Sequence, residues 1–233
     1  MKKLILIVSF LMCTTVLFSF APIDYQKLFP EEYQSAINLL DKNKEIVKKK
    51  AAYYHHSVKF SSAIIFPELL RYSIFSDFFE TKTLELLYIQ SGSSKVDFSI
   101  GYFQMKPSFV EQLEQDISTN KRLKQCYSKL LINKKLPIAK QRKIRLQRLK
   151  TIDWQLTYLH AFIAICENKF SIINFKNTTE KLNFFATAYN CGYRKKTTEI
   201  IQKSTQSHFP YGMKYKGTQY SYCDISTYYL THN

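Results

Sequence analysis

The sequence predicts a mainly helical protein, and two observations carry that prediction. Glycine is scarce, with 5 among 233 residues, as expected where helices rather than turns dominate. Apolar residues recur at spacings of three and four, which is the spacing of one face of an α-helix. No repeat and no glycine- or serine-rich linker interrupts the chain, so we expect one domain with one sizeable core.

Three helices are predicted in the first part of the chain. Residues 33–50 form an amphipathic pattern, and residues 61–71 are apolar almost all round, which is typical of a buried helix. Pro67 inside that second helix removes one backbone donor, so it either kinks or restarts the helix. Residues 81–90 form the third, which Gly92 ends. The side chains expected to point inward from it are Leu84, Leu87 and Tyr88.

Further helices are predicted in the second part of the chain, each with a recognisable start or end. Their ranges are 107–115 after Pro107, two helices within 120–150 on either side of Pro137, 153–169 capped by Asp153, 178–190 capped by Thr178 or Thr179 and ended by Gly192, and a short one at 224–230. The tail between residues 206 and 223 is rich in tyrosine and predicted to be irregular.

Residues 1–21 are predicted to be a secretory signal peptide. Lys2 and Lys3 precede an almost wholly apolar run over residues 4–20, and small residues follow at the expected cleavage site. An uncleaved membrane anchor is the alternative, because this run approaches the lower length limit for spanning a bilayer. On either interpretation the protein is exported, and we expect it in the periplasm.

The chain is strongly basic. Its formal net charge is +16, and removing Lys2 and Lys3 leaves +14, since no acidic residue precedes Asp24. Twelve lysines and arginines fall within residues 120–150, where no acidic residue occurs. In an exported protein this charge favours an anionic cell wall or membrane surface as partner, rather than nucleic acid. The alternative is a pair of helices with a solvated basic surface.

Cysteine and histidine spacing predicts neither a metal site nor a cofactor. The four cysteines beyond the leader are Cys126, Cys166, Cys191 and Cys223. An even number in an oxidising compartment permits disulfides, with four free thiols as the alternative. His55 and His56 are adjacent, so on a helix they point in different directions, and we interpret them as surface residues.

Three short segments carry the chemistry that can be recognised. Residues 66–69 read FPEL, residues 99–107 read SIGYFQMKP, and residues 188–192 read AYNCG. Glu68 lies among apolar neighbours, and burial would raise its carboxyl pKa towards the range of a general acid. The alternative is a glutamate at the exposed edge of a helix.

The three segments together resemble the catalytic core of the lytic transglycosylases and goose-type lysozymes. Residues 101–105 resemble the Gly-Leu-Met-Gln turn of that superfamily, with Phe103 in place of Met. Residues 188–192 resemble its Ala-Tyr-Asn-Ala-Gly helix end, with Cys191 in place of Ala. The resemblance covers about residues 60–230. It implies a lysozyme-like helical catalytic domain at 59–233, with a basic helical enlargement at 120–150 and an N-terminal helical extension at 22–58.

The resemblance also implies an activity, which is cleavage of the MurNAc-GlcNAc backbone of peptidoglycan glycan strands. Glu68 would be the catalytic general acid/base, and no second carboxylate is required, because the substrate's N-acetyl group can assist. The residues it implies for substrate binding are Gly101, Phe103, Gln104, Tyr189 and Asn190, and to these we add Asp97, the only acidic residue just before the turn.

Two departures from the family pattern leave alternatives open. Leu69 stands where the family has serine after its glutamate, and Glu68 lies further from Gly101 than the family spacing. Glu80 fits that spacing better and is a rival for the catalytic role, although a glutamate at a helix start has an ordinary capping role. These departures favour, as a second interpretation, an inactive exported wall-binding protein of the same fold.

Overall fold

The computed structural model describes residues 23–75 and 81–233, and over these residues the protein is mainly helical, as predicted. The predicted signal peptide and Glu80 lie outside the described residues. The helices are α1 (Tyr25–Leu28), α2 (Pro30–Lys42), α3 (Lys44–Tyr53), α4 (Val58–Phe75), α5 (Thr81–Ser91), α6 (Pro107–Thr119), α7 (Lys121–Tyr127), α8 (Ile138–Leu149), α9 (Ile152–Lys169), α10 (Thr178–Cys191), α11 (Thr197–Ser204) and α12 (Tyr222–His232), with a 3₁₀ turn at Ser128–Leu130.

Helix α4 is the centre of the core. Residues 60–70 are all buried, which agrees with their apolar sequence. Pro67 lies inside a helix that continues on both sides of it. Helices α2, α10 and α12 pack around α4, and α9 also contacts it. The residue that the sequence singled out, Glu68, therefore sits on the buried part of a central helix.

The predicted helix at 33–50 is in fact two helices, α2 and α3, separated at Asn43. The side-chain amide of Asn43 donates to the Leu39 carbonyl at 2.8 Å, which satisfies an acceptor at the end of α2 and ends that helix. The N-terminal segment packs into the core. The Tyr33 ring lies 4.9 Å from that of Phe66 on α4, and the Tyr228 hydroxyl donates to Asp24 at 2.7 Å.

Two predicted helix caps are wrong. Thr151 is the N-cap of α9, and Asp153 lies in the first turn, where Lys50 forms an ion pair with it at 2.8 Å. Asn177, rather than Thr178 or Thr179, caps α10 by accepting from the Glu180 N–H at 2.9 Å. The capping residue lies two positions before the predicted Asp153 in α9 and one position before the predicted Thr178 in α10.

Helix α5 turns a different face inward from the one predicted. Tyr88 is fully buried, but Leu84 and Leu87 are 37% and 40% exposed. The inward face instead carries Glu85 with Tyr88, because Lys150 at the end of α8 pairs with Glu85 at 2.7 Å. Polar contacts with α8 thus set the rotation of α5.

His56 is not a surface residue. Its side chain is 8% exposed, and its Nδ1 atom lies 2.9 Å from the Nδ1 atom of His160 on α9. The two rings stack with centroids 5.1 Å apart. This contact joins the segment after α3 to α9. His55, by contrast, is exposed as predicted.

The tail is more ordered than predicted. Strand β1 (Ser207–Phe209) pairs antiparallel with β2 (Tyr220–Ser221), and α12 follows directly and packs against α4 and α10. The loop between the strands carries several exposed aromatic and apolar side chains, which are Tyr211, Met213 and Tyr215. Within the described residues, no helix combines the length and the apolar character needed to cross a membrane.

Candidate functional site

The three sequence segments meet at one cavity of about 520 Å³. Its lining includes Glu68 from α4, Gln104 from the turn before α6, and Tyr189 and Asn190 from the end of α10. Asp97 and Arg71 also line it. Segments far apart in the sequence thus come together around the predicted carboxylate.

Glu68 is almost fully enclosed, with 3% of the residue exposed. Burial raises the pKa of its carboxyl above the ordinary glutamate value, because the charged form is poorly solvated there. Arg71, one helical turn along α4, opposes this effect. Its Nη1 atom donates to both carboxylate oxygens at 2.7 Å. Burial is the larger of the two effects, so Glu68 holds a proton more readily than an exposed glutamate.

Tyr222 is a site residue that the sequence did not reveal. Its hydroxyl donates to the Ile64 carbonyl oxygen at 3.3 Å, and it lies close enough to the Glu68 carboxyl to act with Arg71 in lowering the Glu68 pKa. Burial raises the pKa of Tyr222 well above its ordinary value, so the hydroxyl stays neutral. Only the packing of α12 on α4 brings Tyr222 here, and no local pattern signals it. Arg71, by contrast, could be inferred from its spacing of three residues.

The turn at residues 100–105 forms one wall of the cavity. Ile100 and Met105 exchange two backbone hydrogen bonds, of 3.1 and 3.2 Å, and Gly101 has a φ of +69°. A Cβ atom at Gly101 would collide with the Gln155 side chain. Gln155 on α9 accepts from the Phe103 N–H at 3.1 Å and donates to the Ile100 carbonyl at 3.2 Å. Glycine is therefore required so that Gln155 can hold the turn.

Gly101 and Phe103 hold the turn in place but are not among the residues that line the cavity. The Phe103 side chain is fully buried, and its carbonyl oxygen accepts from the Tyr189 hydroxyl at 2.7 Å. Gln104 faces the cavity with a φ of +49°, and its amide donates to the Gly101 carbonyl at 2.8 Å. Of the turn residues expected to bind substrate, Gln104 is the one whose side chain lines the cavity, together with Met105 beyond it.

Tyr189 and Asn190 occupy the last turn of α10. Tyr189 is 7% exposed and packs edge-on against Phe109 and Phe162, with centroids 5.2 and 5.3 Å away. It therefore belongs to both the core and the cavity wall. Asn190 is exposed, and Gly192, with a φ of +101°, ends the helix. The sequence predicted this helix end correctly.

Asp97 lines the cavity, but both of its carboxylate oxygens are bonded to Ser108. Its two oxygens accept from the Ser108 N–H at 3.0 Å and from the Ser108 hydroxyl at 2.7 Å. The carboxylate therefore satisfies a free N–H group in the first turn of α6. This arrangement makes Asp97 a support for the turn and for α6.

The loop after β1 contributes a further wall that the sequence did not suggest. Pro210, Tyr211 and Gly212 line the cavity, and the Phe209–Pro210 peptide bond is cis. The Tyr211 ring lies against Phe75 at the end of α4, with centroids 5.7 Å apart, and against Tyr215 at 4.4 Å. An aromatic rim thus borders the cavity near Arg71.

The described residues form neither a metal site nor a disulfide. No group of three or more histidine, cysteine, aspartate or glutamate side chains there is arranged to hold a metal ion. All four cysteines are free thiols, and Cys191 lines the cavity.

The basic residues of 120–150 fall into two classes. One class is anchored to the fold: Arg145 is buried and bonds Glu111 and Glu114, and Arg148 donates to the Leu130 carbonyl at 2.6 Å. Arg142 and Lys150 are likewise bound to α5. The other class is exposed, and within the described part of the chain it has no acidic partner: Lys121, Arg122, Lys124, Lys129, Lys134, Lys135, Lys140 and Lys143. Only the second class is available to a partner.

Comparisons with known proteins returned no family model, no curated protein and no solved structure that matches this chain.

Proposed function

We propose that the protein is an exported peptidoglycan-cleaving glycosidase, either a lytic transglycosylase or a muramidase. The observation that carries this proposal is Glu68, a buried carboxyl with a raised pKa that lines a cavity with Gln104, Tyr189 and Asn190. A protonated carboxyl in a cleft is what a glycosidase needs to protonate a leaving-group oxygen.

In the proposed mechanism, Glu68 donates its proton to the glycosidic oxygen between MurNAc and GlcNAc. The N-acetyl group of the substrate assists departure of the leaving group, so no second protein carboxylate is needed. Glu68, now ionised, then takes a proton from the sugar's 6-hydroxyl, which closes an anhydro ring, or from a water molecule, which gives a reducing end. Tyr189 and Gln104 would line the sugar-binding cleft.

The test is glycan cleavage by a matched set of variants. Glu68→Gln keeps the size of the side chain and removes the proton donor, so release of muropeptides from purified sacculi should fall by more than about a hundredfold. Glu45→Gln makes the same change at an exposed position on α3 and should leave activity unchanged. Thermal melting checks that each variant folds, and mass spectrometry of the products distinguishes anhydro from reducing ends.

Glu80→Gln belongs in the same experiment. If that variant abolishes cleavage and Glu68→Gln does not, then Glu80 is the catalytic carboxyl and the proposed role of Glu68 is wrong.

A second candidate is an inactive protein of the same fold that binds the cell wall. The Arg71 guanidinium bonds both oxygens of Glu68, which favours the charged carboxylate over the protonated acid. If the wild type sediments with sacculi but releases no muropeptide over a broad pH range, this second function replaces the first.

We also propose that the protein acts in the periplasm, and that the exposed cations of 120–150 bind an anionic wall or membrane surface. The support is the high net charge of the chain and the lack of acidic residues in this stretch.

A further inference from the structure

Arg71 connects Glu68 to the cavity. Its side chain is 21% exposed, whereas that of Glu68 is 5% exposed, so a ligand in the cavity meets the guanidinium more readily than the carboxylate. The guanidinium carbon lies 5.3 Å from the Phe209 ring centroid and 5.8 Å from that of Tyr222. Arginine has five N–H donors. Among the described residues, Arg71 Nε finds no hydrogen-bond partner, so the guanidinium has donor capacity beyond its bonds to Glu68.

The positive charges around Glu68 are no longer neutralised once its carboxylate is protonated. Arg71 faces it from its own helix and Lys106 from the turn before α6, while Tyr222 on α12 and Tyr189 on α10 are neutral tyrosines. Asp97, the other acidic residue of the lining, is bound to Ser108. When Glu68 takes a proton, Arg71 and Lys106 therefore face the cavity without a carboxylate to neutralise them.

We infer that the cavity binds a carboxylate of an anionic glycan at Arg71, and that this carboxylate displaces Glu68 from the guanidinium. This inference rests on the proposed function and names its substrate class, which is a sugar bearing a carboxylate rather than a neutral N-acetylated glycan. Arg71 is then a specificity-determining residue, because it contacts the substrate and prepares the acid in the same step.

The exchange has a thermodynamic consequence. A Glu68 carboxylate that loses its two hydrogen bonds to Arg71 is a buried charge with less compensation, so it takes up a proton from solvent. Binding of the anionic ligand and protonation of Glu68 then favour each other, and by linkage the effect is reciprocal. The ligand would therefore create the protonated acid that the reaction consumes.

The experiment is isothermal titration calorimetry with a disaccharide and its own neutral analogue. The probe is N-acetylglucosaminyl-N-acetylmuramic acid with a free lactyl carboxylate, and the control ligand is its methyl ester. Each is titrated at one pH in two buffers of different ionisation enthalpy, which reports the protons taken up. We expect the acid to bind with net proton uptake and the ester to bind more weakly without it.

Three variants complete the design. Arg71→Gln should weaken binding of the acid by about tenfold or more, since it removes a charge-assisted contact, and should abolish proton uptake while leaving ester binding unchanged. Glu68→Gln should abolish proton uptake and still bind the acid. The matched control is Arg122→Gln, which changes the same residue type at an exposed position on α7 and should alter neither ligand's binding.

The outcomes separate the inference from the proposed function. Equal binding of acid and ester without proton uptake, in a protein that cleaves sacculi, overturns the inference and leaves the function standing. Binding of the acid with proton uptake, in a protein that does not cleave, supports the inference and overturns the activity. If Arg71→Gln does not fold, the comparison of the two ligands on the wild type still decides the question.

Discussion

At the scale of single residues, the chemistry of Glu68 depends on a competition between burial and an ion pair. Burial disfavours the carboxylate, while the Arg71 guanidinium and the Tyr222 hydroxyl favour it, and burial is the larger effect. A buried ion pair in a protein often recovers only part of the cost of removing its charges from water. A general acid benefits from that shortfall, because it keeps the proton available near neutral pH.

This competition predicts the sign of a pH effect on stability. When the pKa of an acid is higher in the folded protein than in the unfolded chain, the acid ionises first in the unfolded chain. The folded protein therefore becomes less stable as the pH rises from the ordinary glutamate pKa towards the pKa in the folded protein. Each unit by which the pKa is raised costs about 1.4 kcal/mol of unfolding free energy above that window. We therefore expect the unfolding free energy of the wild type, minus that of Glu68→Gln, to fall as the pH rises from the ordinary glutamate pKa of about 4.3 through the neutral range.

Urea denaturation of both proteins across that range measures this difference. A difference that rises with pH would mean that Arg71 outweighs burial and that the pKa of Glu68 is lowered in the free protein.

The sequence reveals only part of this residue-level arrangement. The apolar neighbours of Glu68 correctly predict its burial, because α4 is enclosed on every side. Arg71 is readable from its spacing on the same helix. Tyr222 is not readable, because its contact depends on how α12 packs against α4 rather than on any local pattern.

At the scale of elements, the turn at residues 100–105 depends on a side chain from another helix. Gln155 of α9 bonds both the Phe103 N–H and the Ile100 carbonyl, and it lies where a Cβ atom on Gly101 would be. The glycine is thus required for two reasons, its positive φ and the close approach of Gln155. Gly192 and Gly212, which also have positive φ, meet only the first requirement, because a Cβ atom there would meet nothing within 4 Å.

We predict that Gly101→Ala destabilises the protein more than Gly192→Ala. Gly192 also has a positive φ, but a Cβ atom there would meet nothing within 4 Å. Both variants carry a conformational cost of about 1–2 kcal/mol, and Gly101→Ala adds an overpacking cost of about 1–3 kcal/mol. Denaturant unfolding of the two variants measures the difference, and equal losses would show that the Gln155 side chain and the Leu149 carbonyl, which a Cβ atom would also meet, both move aside without cost.

Most of the errors in element prediction have a common physical cause. The break at Asn43, the cap at Asn177 and the rotation of α5 each involve individual hydrogen bonds or an ion pair, whereas Thr151 caps α9 without a side-chain hydrogen bond. Hydrophobic periodicity, which predicted the long helices correctly, carries no information about such contacts. Periodicity therefore finds the helices, and polar contacts decide where they begin, end and turn.

At the scale of the whole molecule, the basic residues of 120–150 have different roles, because some hold the fold together and others are exposed. Arg145 is buried in a network with Glu111, Glu114 and Tyr88 that joins α5, α6 and α8. Reversing its charge would leave buried carboxylates unpaired and would unfold this region rather than test binding. Only the exposed lysines of 120–150 can be reversed without that cost.

We predict that reversing four exposed lysines in this stretch weakens attachment to the cell wall. The variant replaces Lys121, Lys124, Lys140 and Lys143 by Glu. Sedimentation with purified sacculi at low salt should fall, while cleavage of a short soluble glycan stays near the wild-type rate. Salt should reduce wild-type sedimentation as well, because exposed charges are screened over about 8 Å at physiological ionic strength.

A matched control distinguishes a local surface from net charge alone. Reversal of Lys42, Lys44, Lys48 and Lys49, which are exposed on α2 and α3, changes the net charge by the same amount at another position. A smaller loss of sedimentation in this control would assign wall attachment to residues 120–150, because the two variants differ only in where the charge is removed. Equal losses would mean that the overall charge attracts the protein to the wall, and no loss in either variant would contradict an electrostatic attachment.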